Sequence, residues 1–206
     1  MKQAKTSKAW MKEHVNDFFV KQAKKDGYRS RAAYKLLEIA ARDHILKPGM
    51  IVVDLGAAPG SWSQVVNHKV GNKGKVIALD ILDMQPLPGV EFIQNDFREE
   101  CAVHELKKYL GDHHPDLVIS DMSPNISGIV VSDQARSMYL AELALAFSME
   151  QLNYGGNFLV KVFQGRDFDQ FLRDMRSGFK NVMIRKPKAS RDRSNELYLL
   201  GLGKKE

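Results

Sequence analysis

Cysteine is almost missing from this chain. One residue in 206, Cys101, excludes an internal disulfide framework and a CxxC zinc site, and it makes a reducing, cytoplasmic setting the default. Long apolar runs are missing as well. None approaches the roughly 20 residues of a membrane helix, and the N-terminal MKQAKTSKAWMKEH lacks the apolar stretch of a secretory signal. That segment is basic but poor in Arg and runs on into the domain, which argues against a mitochondrial presequence. There is no internal repeat and no low-complexity tract. Two nucleotide-binding patterns are also lacking. The glycines of VVDLGAAPGSWSQVV (52–66) are spaced Gly56-x-x-x-Gly60 and not GxGxxG, and no Lys with a Ser/Thr pair of Walker type accompanies them.

What remains is a globular composition, 44% hydrophobic and 27% charged, of a length that suits one domain with a short appendage. The net charge of +6 is unevenly placed. Residues 1–35 carry ten Lys/Arg against Glu13, Asp17 and Asp26, and residues 180–193 carry six against Asp192, so the rest of the chain is acidic. Two basic segments flanking an acidic body fit a polyanion binder with a separate site for another ligand. Residues 1–30 are expected to form a basic helical arm that binds the polyanion, and residues 31–206 the main domain.

Helical spacing of Trp10, Met11, Val15, Phe18, Phe19 and Gln22 predicts a helix capped by Ser7 and ended near Lys24 by Gly27, with those aromatics as its docking face. Ser30 is placed to cap a second helix, Arg31 to Arg42. Strands are then predicted at 50–55, 75–80, 90–95, 116–121 and 156–163, alternating with helices from about 61, 99, 133 and 167. Strands at 181–186 and 196–202 have no helix between them. Alternation means a parallel sheet covered on both faces. The last pair, joined by a short loop, must be antiparallel. The fold class is α/β: a seven-stranded, mostly parallel, Rossmann-like sheet with an antiparallel last strand and helices on both faces.

Ligands of such sheets bind at the carboxyl ends of the strands. There stand Asp54, Gly56 and Gly60, then Asp80 and Asp96. A pyrophosphate wants a nest of amides and no nearby acids, so an NAD-type site is disfavoured. S-adenosylmethionine, a cation without phosphate, fits better. Glycines admit the backbone to its methionine part, an acid accepts from its ribose hydroxyls, and Trp62 is placed to wall the pocket. The next corner, SDMSPNISG (120–128), lacks the Asn/Asp-Pro-Pro-aromatic turn of a base-amino methylase, and Cys101 lies away from any strand end, where a pyrimidine C5 nucleophile would be needed. That leaves an oxygen as the methyl acceptor. In NFLVKVFQG (157–165), Lys161 stands among apolar residues and needs partners. Asp121 and Glu196 are the candidates, with Lys35 on the second helix as a further member.

At these motifs the chain resembles the FtsJ/RrmJ family of ribosomal RNA methyltransferases. The resemblance runs from about Trp10 to Gly203 through RSRAAYKL (29–36), KPGMIVVDLGAAPGSWSQ (47–64), NDFRE (95–99), SDMSPN (120–125), MYLAELAL (138–145), FLVKVFQG (158–165) and RKPKASRDRSNELY (185–198). Ser61 and Ser123 stand where the family usually has Gly and Ala. The resemblance implies a class I S-adenosylmethionine-dependent methyltransferase with a Lys35-Asp121-Lys161-Glu196 tetrad and cofactor contacts at Gly60, Trp62, Asp80, Asp96 and Asp121. It implies 2′-O-methylation of a uridine in the A-loop of 23S rRNA within the assembled large ribosomal subunit, by a cytoplasmic monomer. Lys161 is then the proton acceptor or an alkoxide stabiliser. Burial and the Lys35 cation favour its neutral form, and the two acids favour its charged form. No metal is implied, since neither the hydroxyl nor the leaving thioether requires one.

Overall fold

The structure, a computed structural model, describes residues 17–125, 127–191 and 194–206. Seven strands form one sheet: β1 (Ile51–Leu55), β2 (Lys75–Asp80), β3 (Val90–Gln94), β4 (Leu117–Ser120), β5 (Asn157–Phe163), β6 (Phe179–Arg185) and β7 (Glu196–Lys204). Their order is β3-β2-β1-β4-β5-β7-β6. The first five run parallel to one another, and β7 runs antiparallel to both β5 and β6. The winding reverses between β1 and β4, which opens a crevice at the carboxyl ends of those two strands.

Six α-helices accompany the sheet among the described residues: α1 (Phe18–Asp26), α2 (Ala33–Asp43), α3 (Ser61–Val70), α4 (Glu100–Leu110), α5 (Val130–Gln151) and α6 (Phe168–Gly178). Strand side chains alternate between faces, and the core divides accordingly. Val52, Ile119, Leu159, Tyr198 and Leu200 pack with α2 and α3. Val53, Val118, Phe158, Val160 and Leu199 pack with α4, α5 and α6. Lys161 is two residues beyond Leu159, and Glu196 two before Tyr198, so both share the α2 face. Leu36 and Ile39 anchor α2 there, fully buried, each contributing about 1.5–3 kcal/mol. That anchoring carries Lys35 to the sheet.

Several boundaries differ from the sequence expectation. The Ser7 cap, Trp10, Met11 and Val15 lie outside the described residues. The described helix starts at Phe18, capped by Asp17, whose carboxylate accepts from the amides of Phe19 and Val20. Phe18 is 70% exposed and does not dock; Phe19 does, against Tyr34. Gly27 ends α1 at φ 77°, a left-handed conformation open to glycine. Ser30 accepts from Ala32 through its hydroxyl in a turn, and α2 starts after it, at Ala33. α5 begins at Val130, where Asp133 in its first turn reaches back to the amides of Ser127 and Gly128 and fixes the chain entering the helix. No helix among the described residues is long and apolar enough to cross a membrane.

Candidate active site

Lys161 is 6% exposed, at the carboxyl end of β5. An ammonium so placed needs acceptors, and the loop after β4 supplies two: Asp121 Oδ1 at 3.1 Å and the Asp121 carbonyl at 2.5 Å. Across the β5–β7 ladder the Cα partner of Lys161 is Tyr198. The Tyr198 hydroxyl donates to Asp121 Oδ1 at 2.8 Å and accepts from Lys35 Nζ at 3.0 Å. Lys35 in turn pairs with Glu196 at 2.6 Å, both largely buried, and Ser190 donates to the same Glu196 oxygen. The four predicted residues thus form one linked cluster, wired differently from the expectation: Glu196 holds Lys35, and a phenol joins that pair to Asp121 and Lys161.

The charges are set by these neighbours. Burial pushes the Asp121 carboxyl upward, but the Lys161 and Lys35 cations and the Tyr198 hydroxyl bring it below the ordinary carboxylate value. Burial, followed by the charges of Asp121 and Glu196, raises the Tyr198 phenol well above its usual value. Tyr198 is therefore a neutral donor at any working pH. Sequence reasoning missed it. The available signal was its spacing from Glu196, two residues along a strand and so on the same face.

The second half of the crevice is the β1–α3 turn. Asp54 is completely buried, and burial pushes its carboxyl up to about 7. Ser63 donates to its Oδ2 at 2.6 Å, while its buried Oδ1 has no hydrogen-bond partner. Gly56, at φ 77°, is crossed by another segment: a Cβ there would lie 2.8 Å from Met122 Cα and 2.9 Å from its nitrogen. The glycine therefore serves the close approach of the β4 loop, which the sequence had suggested for a ligand. Asp80 accepts from the Ala58 and Leu82 amides, each at 2.8 Å, and a carboxylate has further acceptor capacity. Asp96 follows one residue after an amide bonded to the Asp80 carbonyl, and Arg98 pairs with it and holds it below the usual range. The Trp62 indole packs against Tyr198 and donates to the Ala32 carbonyl at 2.8 Å. The main-chain amide of Trp62 lies in the first turn of α3, where helix amides lack an intrahelical acceptor.

Arg31 ties together the two basic segments. Its guanidinium pairs with Asp17, donates to the Ala189 carbonyl and lies over the Phe19 ring. Glu38 on α2 accepts from the Lys188 amide. Segments some 150 positions apart in the chain thus meet on the α2 side.

A family model described as FtsJ-like methyltransferase matches residues 28–204. The chain belongs to that family. Similar proteins carrying the name ribosomal RNA large subunit methyltransferase E include one from Nitrosospira multiformis, 69% identical over the whole of both chains, and one from Nitrosomonas europaea, 66% identical over 99% of each. A crystal structure described as a ribosomal RNA methyltransferase of Plasmodium falciparum superposes with a TM-score of 0.78 at 32% identity, over 86% of this chain and 98% of that one. Membership makes the protein a methyltransferase and agrees with the seven-stranded sheet.

Proposed function

We propose that the protein transfers a methyl group from S-adenosylmethionine to the ribose 2′-hydroxyl of a uridine in the A-loop of 23S rRNA, in the assembled large ribosomal subunit. The observation that carries this reading is the buried Lys161–Asp121–Tyr198–Lys35–Glu196 cluster beside the Gly turn. The names borne by the full-length relatives support the substrate class. S-adenosylmethionine supplies, when bound, a methyl group activated by a sulfonium. The chain offers what such a cation needs: a buried Asp54 oxygen without a partner, a diol acceptor in Asp80, and Gly60, the Trp62 amide and Asp96 around them. An acidic rim suits a cationic ligand.

Toward the acceptor, Lys161 is the one cluster member with its ammonium on the Asp121 corner itself. As an ammonium, Nζ holds the developing alkoxide while the hydroxyl proton leaves to solvent; as a general base it would first give its own proton to solvent and then take that of the hydroxyl. Asp121 stays ionised and fixes Nζ through two oxygens. Lys35 adds a second positive charge, oriented by Glu196 and Tyr198. Holding the hydroxyl in line is itself a large share of such catalysis. The basic N-terminal segment 1–30 and the basic segment 186–193 grip the RNA phosphates.

The test is methylation of undermethylated large subunits, free rRNA and tRNA side by side, followed by nucleoside analysis. The expected product is a 2′-O-methyluridine on the subunits, seen as a phosphodiester that resists alkali. A methylated base, preferential transfer to tRNA, or binding to subunits without any transfer overturns the reading.

A further inference from the structure

Gly60, at φ 101°, lies beneath a side chain from the segment between α1 and α2. A Cβ added there would stand 2.6 Å from Arg29 Nη1 and 2.8 Å from Met84 Sδ. The Arg29 guanidinium donates through Nη1 to the Pro59 carbonyl and through Nη2 to the Pro86 carbonyl, both at 2.9 Å. Pro59 belongs to the Gly turn after β1. Pro86 belongs to the loop after β2, which starts at Asp80. One planar fork therefore spans the two walls of the corner, and a planar fork fixes a spacing in a way a single ammonium does not. Among the described residues Arg29 makes no salt bridge.

The fork is itself held. Its amide donates to Gln64 Oε1 at 2.9 Å, Gln64 Nε2 donates to the Gly27 carbonyl at 3.1 Å, and the Ser30 and Ser61 hydroxyls lie 2.7 Å apart. Asn67 of α3 secures the outer end of the loop through the Pro88 carbonyl. At the base of the corner Asp80 joins the two walls through the Ala58 and Leu82 amides; farther out they are joined by Arg29 and by Met84, which is buried against Ala57 and Ala78.

Resting on the methyl-donor reading above, we infer that Arg29 is a positioning residue that sets the gap between the Gly turn and the β2–β3 loop, and with it the affinity for S-adenosylmethionine. The sign of the effect distinguishes this from simple charge. The ligand is cationic, so loss of a nearby guanidinium would tighten binding if only Coulomb repulsion mattered. A lost clamp loosens it.

The experiment is calorimetry of wild-type, Arg29→Ala and Arg29→Lys protein with S-adenosylmethionine, together with amide hydrogen exchange of residues 57–63 in cofactor-free protein. Arg29→Ala should raise Kd on the order of tenfold, which corresponds to about 1.4 kcal/mol, and should speed exchange of the turn amides. KM for the cofactor should rise in step, while kcat at saturation stays within about twofold, as expected for lost uniform binding. Arg29→Lys keeps the charge but not the fork and should lose most of the same affinity. It carries the test if the alanine variant fails to fold. Folded variants with Kd and turn exchange unchanged, or with tighter binding, overturn the clamp. So does a defect confined to RNA binding. If wild-type protein binds no S-adenosylmethionine, the methyl-donor reading falls, and turn exchange in the variants still decides whether Arg29 holds the walls.

Discussion

Asp54 and Asp121 follow the same plan and end in opposite states. They stand at the carboxyl ends of β1 and β4, strands that pair directly with each other. Burial pushes both carboxyls upward. Asp121 has two ammonium groups and a phenol around it and stays below the ordinary range. Asp54 has one serine hydroxyl, an oxygen without a partner and the charges of Asp121 and Asp80 nearby, and it rises to about 7. Burial alone therefore does not decide the charge of a strand-end acid. The cations that the fold brings up decide it, here one from β5 and one from α2. A permanently charged acid suits orientation of a reacting lysine.

Removing Lys161 breaks the contrast most severely. Lys161→Ala should reduce methyl transfer by on the order of 10²–10⁴-fold, the usual worth of a positioned acid–base group, while S-adenosylmethionine and RNA still bind. The Asp121 carboxyl should rise, since its nearest cation is gone, and this is measurable by carboxyl-carbon NMR titration. Lys161→Arg should fail nearly as badly, because a guanidinium does not deprotonate in a protein. A near-normal single-turnover rate in the alanine variant would remove Lys161 from the chemistry.

Asp54→Asn sharpens the other side. With its folded pKa raised to about 7 and an unfolded value near 3.9, Asp54 binds its proton more tightly in the folded state. Stability from this group is therefore fully present at low pH and falls as pH rises through the window from about 4 to about 7. The asparagine variant lacks that loss. It should match wild type near pH 4 and exceed it at pH 8 by up to about 4 kcal/mol, read from denaturant midpoints. Asp121, depressed, contributes in the opposite sense: its stability is present above the unfolded carboxyl value and is lost as pH falls through its lower folded value. A wild-type minus variant difference that does not change with pH would refute the assignment to Asp54.

Most of the sheet was legible in the sequence because β1, β2, β4 and β5 are short, largely apolar runs and the strands are bounded by Gly, Asp or Asn. Lys75–Asp80 matches residue for residue, and Lys161 stood out as a charge in such a run. Boundaries shifted where a side chain acts at a distance along the chain, as Asp133 does in fixing the chain that enters α5 at Val130. In the site, residue types were legible and wiring was not. Pairing Glu196 with Lys35 follows from the β5–β7 register and the approach of α2, and no local spacing encodes either. Tyr198 looked like one more apolar strand residue, and Trp62 like a pocket wall, until the faces of the sheet were assigned. Arg29 is one of many basic residues near the N-terminus and acquires meaning only through carbonyls 30 and 57 positions away.

The smallest change to the cluster is Tyr198→Phe. It deletes one oxygen and keeps the ring that packs against Trp62. Lys35 retains Glu196 at 2.6 Å, and Asp121 retains Lys161, so the cluster should stay assembled. What is lost is the bond that links the two pairs. Asp121 then has one donor fewer for its ionised form, and its carboxyl should move upward. The rate should fall about tenfold, in keeping with about 1.4 kcal/mol for a hydrogen bond to a charged group, with S-adenosylmethionine affinity unchanged. The acid limb of the pH–rate profile should shift to higher pH, because Asp121 is protonated sooner as pH falls. A purely packing role for the hydroxyl would lower stability without moving that limb. Equal rates and an unmoved limb in wild type and variant would show that the Lys35–Glu196 pair acts on Lys161 without the phenol between them.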